Sequence, residues 1–349
     1  MNALDPEIVP LDADDTALVE QVVGLVNAVR RTDSPWSHPC TVNEVQGDVR
    51  YGWELEPGRH YAVLLDGRAV ALGHLETTDW DNRDLAWLDV TVHPEHRRRG
   101  LGTATLRFLV DEAAATGRTK LGIDGWDGEA PRRFAARFGF TLGSQAINRR
   151  QHLAELSLDA LRNKYDEARA HASSYELLRI SGRVPEELLP AVSEMWVAIN
   201  DAPLDDLDIE DEVFPPQRIR DYETATLQRG QRLHRVVARH RGTGELAGHT
   251  VVAVEEERPW IGAQHDTSVV RAHRGHRLGL LLKAEMNLWL ADTEPQLETV
   301  DTWNAESNDH MIAVNELLAY RWMGRGLEFM STVGKVRQAL GAGLAVHSG

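Results

Sequence analysis

Twice in this 349-residue sequence, arginines and glycines crowd the point where a strand runs into a helix. In Arg97-Arg98-Arg99-Gly100-Leu101-Gly102 the spacing is RxxGxG, between a strand ending Val-Thr-Val-His-Pro and a long amphipathic helix. A loop of that kind turns successive backbone N–H groups toward one point at a helix N-terminus, where unsatisfied donors and partial positive charge suit a pyrophosphate. Glycine lets a phosphate approach the backbone, and arginine neutralises its charge. The second copy, Arg274-Gly275-His276-Arg277-Leu278-Gly279, stands in the same setting, with Gly279 placed 177 residues after Gly102. One copy alone could be a plain strand-to-helix turn; its recurrence in one context argues for an anion site. Arg277 stands where the first loop has Gly100, so it needs either an ordinary backbone or a left-handed one costing about 1 kcal/mol or more. Weaker phosphate approach is expected there, offset by bidentate contact from the guanidinium. Val90 and Val92 lead into the first loop, Thr267 and Val269 into the second, and they complete the two ligand-contact sets.

Around these loops the chain repeats its elements. Residues 16–31 and 185–200 show apolar residues at helical spacing, and each helix is followed by a hairpin, one turning at Asp66-Gly67 and the other at a Gly-Thr-Gly. After each loop helix comes a matching close, Ala136–Gly143 and Leu317–Gly324, where a helix end runs into a strand. Each half reads as helix, hairpin, strand, loop, helix, strand, helix, strand. That is a mixed α/β domain of α+β type, with a mixed, mostly antiparallel sheet flanked by helices and without the regular alternation of a Rossmann sheet. Two domains suit this length. The expected division is residues 1–156, a polar linker helix over 157–173, and residues 174–349.

The remaining composition narrows the function. Apolar residues make up 42 % and charged residues 26 %, which is ordinary for a folded globular protein. A net charge of −16 disfavours nucleic acid and anionic membrane, and by field alone favours a cationic ligand, although acidity often serves solubility only. No apolar run is long enough to span a membrane, and the N-terminal residues do not look like a signal peptide, so a cytoplasmic protein is expected. The single cysteine, Cys40, excludes an internal disulfide and a cysteine-based metal cluster. An acidic stretch, Asp201 to Glu212, reads either as a solvated charge run or as the wall of a pocket for a cation.

The stretch Val92 to Gly102 (VHPEHRRRGLG) resembles motif A of the Gcn5-related N-acetyltransferase (GNAT) superfamily, and Val269 to Gly279 (VVRAHRGHRLG) resembles it with Arg271 and Arg277 as departures. Phe138-Gly139-Phe140 and Leu318-Ala319-Tyr320 look like the family's closing segment. Together these cover most of the chain and are similar to the two-domain acetyltransferases of high-GC bacteria, a mycothiol synthase-like architecture. The resemblance implies acetyl-CoA as acyl donor and a small amine metabolite or antibiotic as acceptor. It also implies direct attack of the amine on the thioester, with no metal and no covalent enzyme intermediate. A CoA-ligand sensor or assembly module without turnover, or transfer of another carbonyl-like group to an amine, are the competing readings.

Strand alternation then suggests which half turns over. In the first half the loop-ward face is Ala86, Leu88, Val90 and Val92, which offers no base; in the second it is Ala263, His265, Thr267 and Val269, with Asp266 opposite. His265 is therefore the expected general base, and turnover is expected in the C-terminal half. Many family members carry a tyrosine acid five residues before the closing aromatic; Ala135 and Asn315 hold that place here, so Asn315 is the second catalytic candidate. Asn304 and Asn308 lie near the cofactor that the resemblance implies, and serve it or simply shape a turn.

Overall fold

The computed structural model describes residues 6–345, which form two compact units. Unit 1 comprises Met1–Ala146, Asp205–Glu210 and Gly324–Gly349; unit 2 comprises Ile147–Leu204 and Asp211–Met323. Neither unit is one contiguous stretch.

Unit 1 begins with β1 (Glu7–Pro10), α1 (Thr16–Asp33) and α2 (Val42–Tyr51), continues through the strands β2 (Arg59–Leu65), β3 (Arg68–Glu76) and β4 (Leu85–Val92), and then the loop helix α3 (Leu101–Ala115). β5 (Lys120–Trp126), α4 (Glu129–Arg137) and the first part of β6 (Thr141–His152) follow. In unit 2, after the last residues of β6, come α5 (Leu158–His171), β7 (Tyr175–Ser181), α6 (Leu189–Trp196) and α7 (Pro216–Gln228). β8 (Gln231–His240), β9 (Leu246–Glu255), β10 (Ile261–Val269), the loop helix α8 (Leu278–Thr293), β11 (Thr299–Ala305) and α9 (Asp309–Leu317) complete its core. The chain then runs through β12 (Tyr320–Thr332) into α10 (Val333–Ala345), and from Gly324 onward it belongs to unit 1.

The expected boundary near residues 156–173 treats the chain as two successive halves, whereas β12 pairs antiparallel with β5 from Gly326↔Trp126 to Thr332↔Lys120. Residues 157–173 are not a spacer either, because α5 packs with α8 inside unit 2. Its buried Leu161 and Ala168 lie in the same apolar cluster as Leu281, Leu282 and Trp289. A local reading of the sequence cannot see the exchange: Leu327 and Phe329 carry the alternating pattern of a closing strand without saying which sheet it closes.

In each unit a loop helix and the strands beneath it share one core. On one face of the unit 1 sheet α3, α4 and α10 bury Leu106, Leu109, Ala135 and Phe138 against Leu75, Leu88, Leu121, Leu327 and Phe329. On the other face α1 and α2 bury Val19, Val22 and Val45 against Ala62 and Leu72. In unit 2 the corresponding cores are built on α5 and α8 and on α6 and α7.

Each unit contains, among the described residues, a parallel strand pair that parts before its strands end. β4 and β5 are paired from Leu85↔Lys120 to Leu88↔Ile123, although β4 continues to Val92 and β5 to Trp126. β10 and β11 are paired only from Ile261↔Thr299 to Ala263↔Asp301. Both gaps open toward the carboxyl ends of the strands, where α/β sheets take their ligands.

A chain ended at residue 172 lacks the strand that pairs with β5 and leaves Leu121, Ile123 and Phe138 without their β12 and α10 neighbours. It should lose cooperative thermal unfolding and near-ultraviolet dichroism. Adding back residues 324–349 by fusion should restore them, and a cooperative transition in the truncated chain would count against the discontinuous unit.

Candidate functional site

The two glycine loops have the same backbone with the residue types exchanged. Positive φ occurs at the second and fourth loop positions in both: Arg98 (64°) and Gly100 (88°) in unit 1, Gly275 (86°) and Arg277 (54°) in unit 2. One left-handed turn in each loop is therefore made by glycine and the other by arginine, at a cost of about 1 kcal/mol. Of the two backbones open to Arg277, the structure shows the left-handed one. Neither α3 nor α8 has a side-chain N-cap, so their first N–H groups face the loop concavity without a protein acceptor from that source. Leu101 and Leu278, each 2 % exposed, anchor the helix starts in the cores.

The first arginine of each loop is a staple. Arg97 donates from Nε to the Val92 carbonyl (3.1 Å) and from both terminal nitrogens to the Asp33 carboxylate at the end of α1 (2.9 and 2.5 Å). Arg274 donates to the Val269 carbonyl (3.1 Å) and to Asp201 (2.5 Å) in the same manner. Both guanidiniums, expected at the phosphate, hold the loop to a carboxylate from an earlier segment of the same unit. Arg98 and Arg99 are exposed beside Gly100 and remain the cations of the unit 1 loop. In unit 2, Arg277 is ion-paired with Glu167 of α5, and His276 lies 5.5 Å from the Tyr175 ring.

The remaining expected contacts divide in the same way. A Cβ on Gly102 would lie 3.6 Å from Val92 and 3.7 Å from Val90, so these valines pack on the start of α3. Gly279 is buried yet has open space where its Cβ would point. The Thr267 hydroxyl is bonded to Thr250 (2.7 Å), and Val269 packs against the α8 core. Asn308 accepts the Met311 N–H and is the N-cap of α9. Asn315 donates to Asn304 (2.6 Å) on β11; its own Oδ1 is buried without a partner.

His265 is not placed as the alternation predicts. The register of β10 against β9 slips between Gln264↔Val252 and Thr267↔Thr250, a bulge that makes β10 one residue longer than β4 (9 residues against 8). Because the extra residue breaks the two-residue period, His265 and Asp266 both face α6 and α7. The His265 Nδ1 is bonded to the Tyr222 hydroxyl (2.6 Å). Burial, with Arg229 and Arg235 nearby, holds His265 down to about 3, so its imidazole is neutral and a poor proton acceptor.

Asp266 closes a buried relay. The Arg235 guanidinium can only donate, so the Nδ1 of His249 (2.7 Å) accepts and its Nε2–H donates to Asp266 (2.5 Å). Burial lowers the His249 pKa, which agrees with the neutral ring that this geometry requires. Trp196 lies over Arg235 (4.4 Å) and stacks with Phe214, filling the face.

On the corresponding face of unit 1 lie the groups that sequence reasoning missed. Cross-strand registers align His60 with His74, His74 with Asp89, and Asp124 with Glu328, while Asp89 and Asp124 are the first residues beyond the last paired residues of β4 and β5. Five ionisable side chains thus form one row across five strands on the α1/α2 face. His60 and His74 stack at 4.1 Å and burial holds them down to about 3 and 4. Asp89 is pushed up by burial, against the Thr91 hydroxyl at 2.7 Å. Asp124 keeps solvent access yet is enclosed; burial first, then Asp89, Glu328 and Glu76, push it up to about 7. Burial and Asp205 also raise Glu328, against the Ser144 hydroxyl. Among the described residues none of these three carboxyls is paired with a lysine or arginine. By register, their counterparts in unit 2 are Asp266, held by His249, and Trp303, which replaces Asp124. The available signal was a lone aspartate inside each of two apolar strands, WLDVTV and KLGIDGW.

The acidic stretch also has definite partners: Asp201 holds Arg274, Asp208 pairs with Lys120 (3.0 Å), and Glu210 exchanges hydrogen bonds with Asn82. Its acidic side chains are all solvent-exposed. Removing the Asp266 carboxylate would strand Arg235 in the core, so Asp266→Ala should cost about 3–5 kcal/mol in denaturant unfolding. A loss below about 1 kcal/mol would show that the relay does not hold unit 2 together.

Comparisons with known proteins agree with the geometry. The acetyltransferase (GNAT) family profile matches residues 24–140. The chain is 34 % identical over 137 residues to a mycothiol acetyltransferase of Nocardiopsis dassonvillei, covering 35 % of this chain and 39 % of that one. It is 32 % identical over 151 residues to one of Stackebrandtia nassauensis, covering 42 % and 46 %. The matched stretch spans less than half the length of these relatives. A tandem GNAT protein from the clavulanic acid biosynthesis pathway superposes with a TM-score of 0.77 at 27 % identity, over 94 % of this chain and 99 % of that one. A GCN5-related N-acetyltransferase from Sphaerobacter thermophilus shares the fold, with a TM-score of 0.67 at 15 % identity, over 94 % and 96 %. Residues 24–140 thus match the GNAT family profile, and the chain as a whole has the mixed α/β fold of a tandem GNAT protein.

Proposed function

We propose that the protein is an acyl-CoA-dependent N-acyltransferase, most simply an N-acetyltransferase of a small amine, and that turnover belongs to unit 1. The observation that carries this reading is the parted β4/β5 pair, with an uncapped loop helix on one side and carboxyls without basic partners on the other. Acetyl-CoA would lay its pyrophosphate on the α3 N-terminus and the Arg98 and Arg99 side chains. Its thioester would enter the gap, where strand N–H groups released from the β4/β5 ladder can hold the oxyanion. A cationic amine would approach from the α1/α2 face.

Unit 2 keeps the loop but has its opposite face filled by the Trp196, Tyr222 and Arg235–His249–Asp266 cluster. This favours binding without turnover in that unit and reverses the expectation built on His265. Mycothiol chemistry, named for two relatives, is one candidate among small amine acceptors; the partial length of those matches leaves the acceptor open to a panel.

Gly100→Val forces a β-branched residue into a left-handed position and should weaken acetyl-CoA binding at least about 10-fold. Steady thiol release across an amine panel should fall with it in the full-length protein, while Arg277→Ala keeps most of the rate. The opposite pattern, an active Gly100→Val and a dead Arg277→Ala, would assign turnover to unit 2.

A further inference from the structure

We propose that Asp124 accepts the proton of the acceptor amine in unit 1, with Asp89 and Glu328, its neighbours in the row across the sheet, as positioning residues. This rests on the reading of unit 1 as the site of turnover. Asp124 sits one residue past the last paired residue of β5, so it stands at the mouth of the gap. Its face is the one turned to α1 and α2, since its neighbours Ile123 and Leu121 are buried with α3 on the other. A thioester entering from the α3 side would present its carbonyl to the side where Asp124 waits.

The groups around it come from several elements. Asp89 on β4, Glu328 on β12 and Glu76 on β3 face it, with Asp205 next to Glu328 and His74 next to Asp89 in the row. The Thr91 hydroxyl is committed to Asp89 and the Ser144 hydroxyl to Asp205 and Glu328. Trp87 lies across Gly122, where a Cβ would meet its ring at 2.3 Å, and Trp126 meets Trp36 edge-on at 5.2 Å. Trp87 and Trp126 lie two residues from Asp89 and Asp124 along their strands and so share their face. Carboxylates between aromatic rings suit an alkylammonium, and a carboxyl raised to about 7 is a useful base near neutrality.

The transfer balances with these groups. The ammonium gives one proton to the Asp124 carboxylate, and the neutral nitrogen attacks the thioester carbon. As the C–N bond forms and the tetrahedral intermediate collapses, the C–S bond breaks and the electron pair leaves on the CoA sulfur. The nitrogen loses its second proton, the thiolate takes one from Asp124 or solvent, and one proton is released overall.

The test uses the full-length protein, acetyl-CoA and two probe acceptors: propylamine, an ammonium ion at neutral pH, and hydroxylamine, which arrives already neutral. Asp124→Asn should lower kcat for propylamine by about 100-fold or more and change that for hydroxylamine by less than about 3-fold, with acetyl-CoA affinity unchanged by calorimetry. Glu328→Gln removes a negative neighbour, so the acid limb of kcat/KM, near pH 7 in the parent, should move to lower pH. Full activity of Asp124→Asn with propylamine, equal loss with both acceptors, or an unmoved limb in Glu328→Gln would overturn the assignment and leave the function reading standing. A parent protein that binds acetyl-CoA but releases no thiol with either probe overturns both.

Discussion

A parallel strand pair cannot be joined by a tight turn, and that constraint organises both units. The crossover from β4 to β5 must climb over the sheet as α3, and from β10 to β11 as α8. Each crossover returns its helix N-terminus to the carboxyl ends of the pair, so the loop donors and the mouth of the gap are fixed beside each other. The loop needs two left-handed residues to turn from strand to helix, and a staple to keep it in place. Arg97 with Asp33 and Arg274 with Asp201 meet the second need identically. Being partly exposed, each pair contributes modest stability, about 1 kcal/mol or less, and its value is geometric.

From that shared frame the units diverge through one inserted residue. The bulge in β10 turns His265 and Asp266 to the same face, and the face is then satisfied internally by Arg235, His249 and Tyr222. β4 has no bulge, and Asp89 beside Asp124 stays without a counter-charge. Like charges held together oppose folding, and a carboxyl with a raised pKa contributes its full stabilisation below its unfolded value of about 4. That contribution is lost as pH rises through about 7. Unit 2 has relieved this opposition, and unit 1 retains it.

Much of the frame was legible in the sequence because it is written locally. The two RxxGxG-like loops, the hairpins and the closing aromatic segments each depend on residues a few positions apart, and all appear where periodicity puts them. What escaped depends on distance along the chain. A one-residue bulge leaves the apolar pattern of β10 intact while moving His265 to the other face, so alternation misassigns it. That Asp33 and Asp201 are brought to Arg97 and Arg274 is equally invisible locally. Asp124 and Glu328 are 204 positions apart in sequence and direct partners across β5 and β12.

That separation bears on what the site is. The family profile ends at residue 140, and a GNAT domain read from it alone would include Asp89 and Asp124 but neither Glu328 nor Asp205. Glu328 arrives on the strand that closes unit 1 from the far end of the chain, and Asp205 on a short segment drawn from its middle. The electrostatic neighbourhood that raises Asp124 is therefore assembled from separate segments of the chain. The chain beyond residue 146 does more than form unit 2: it also supplies unit 1 with its closing strand, with Glu328 opposite Asp124 and with Asp205 near Glu328.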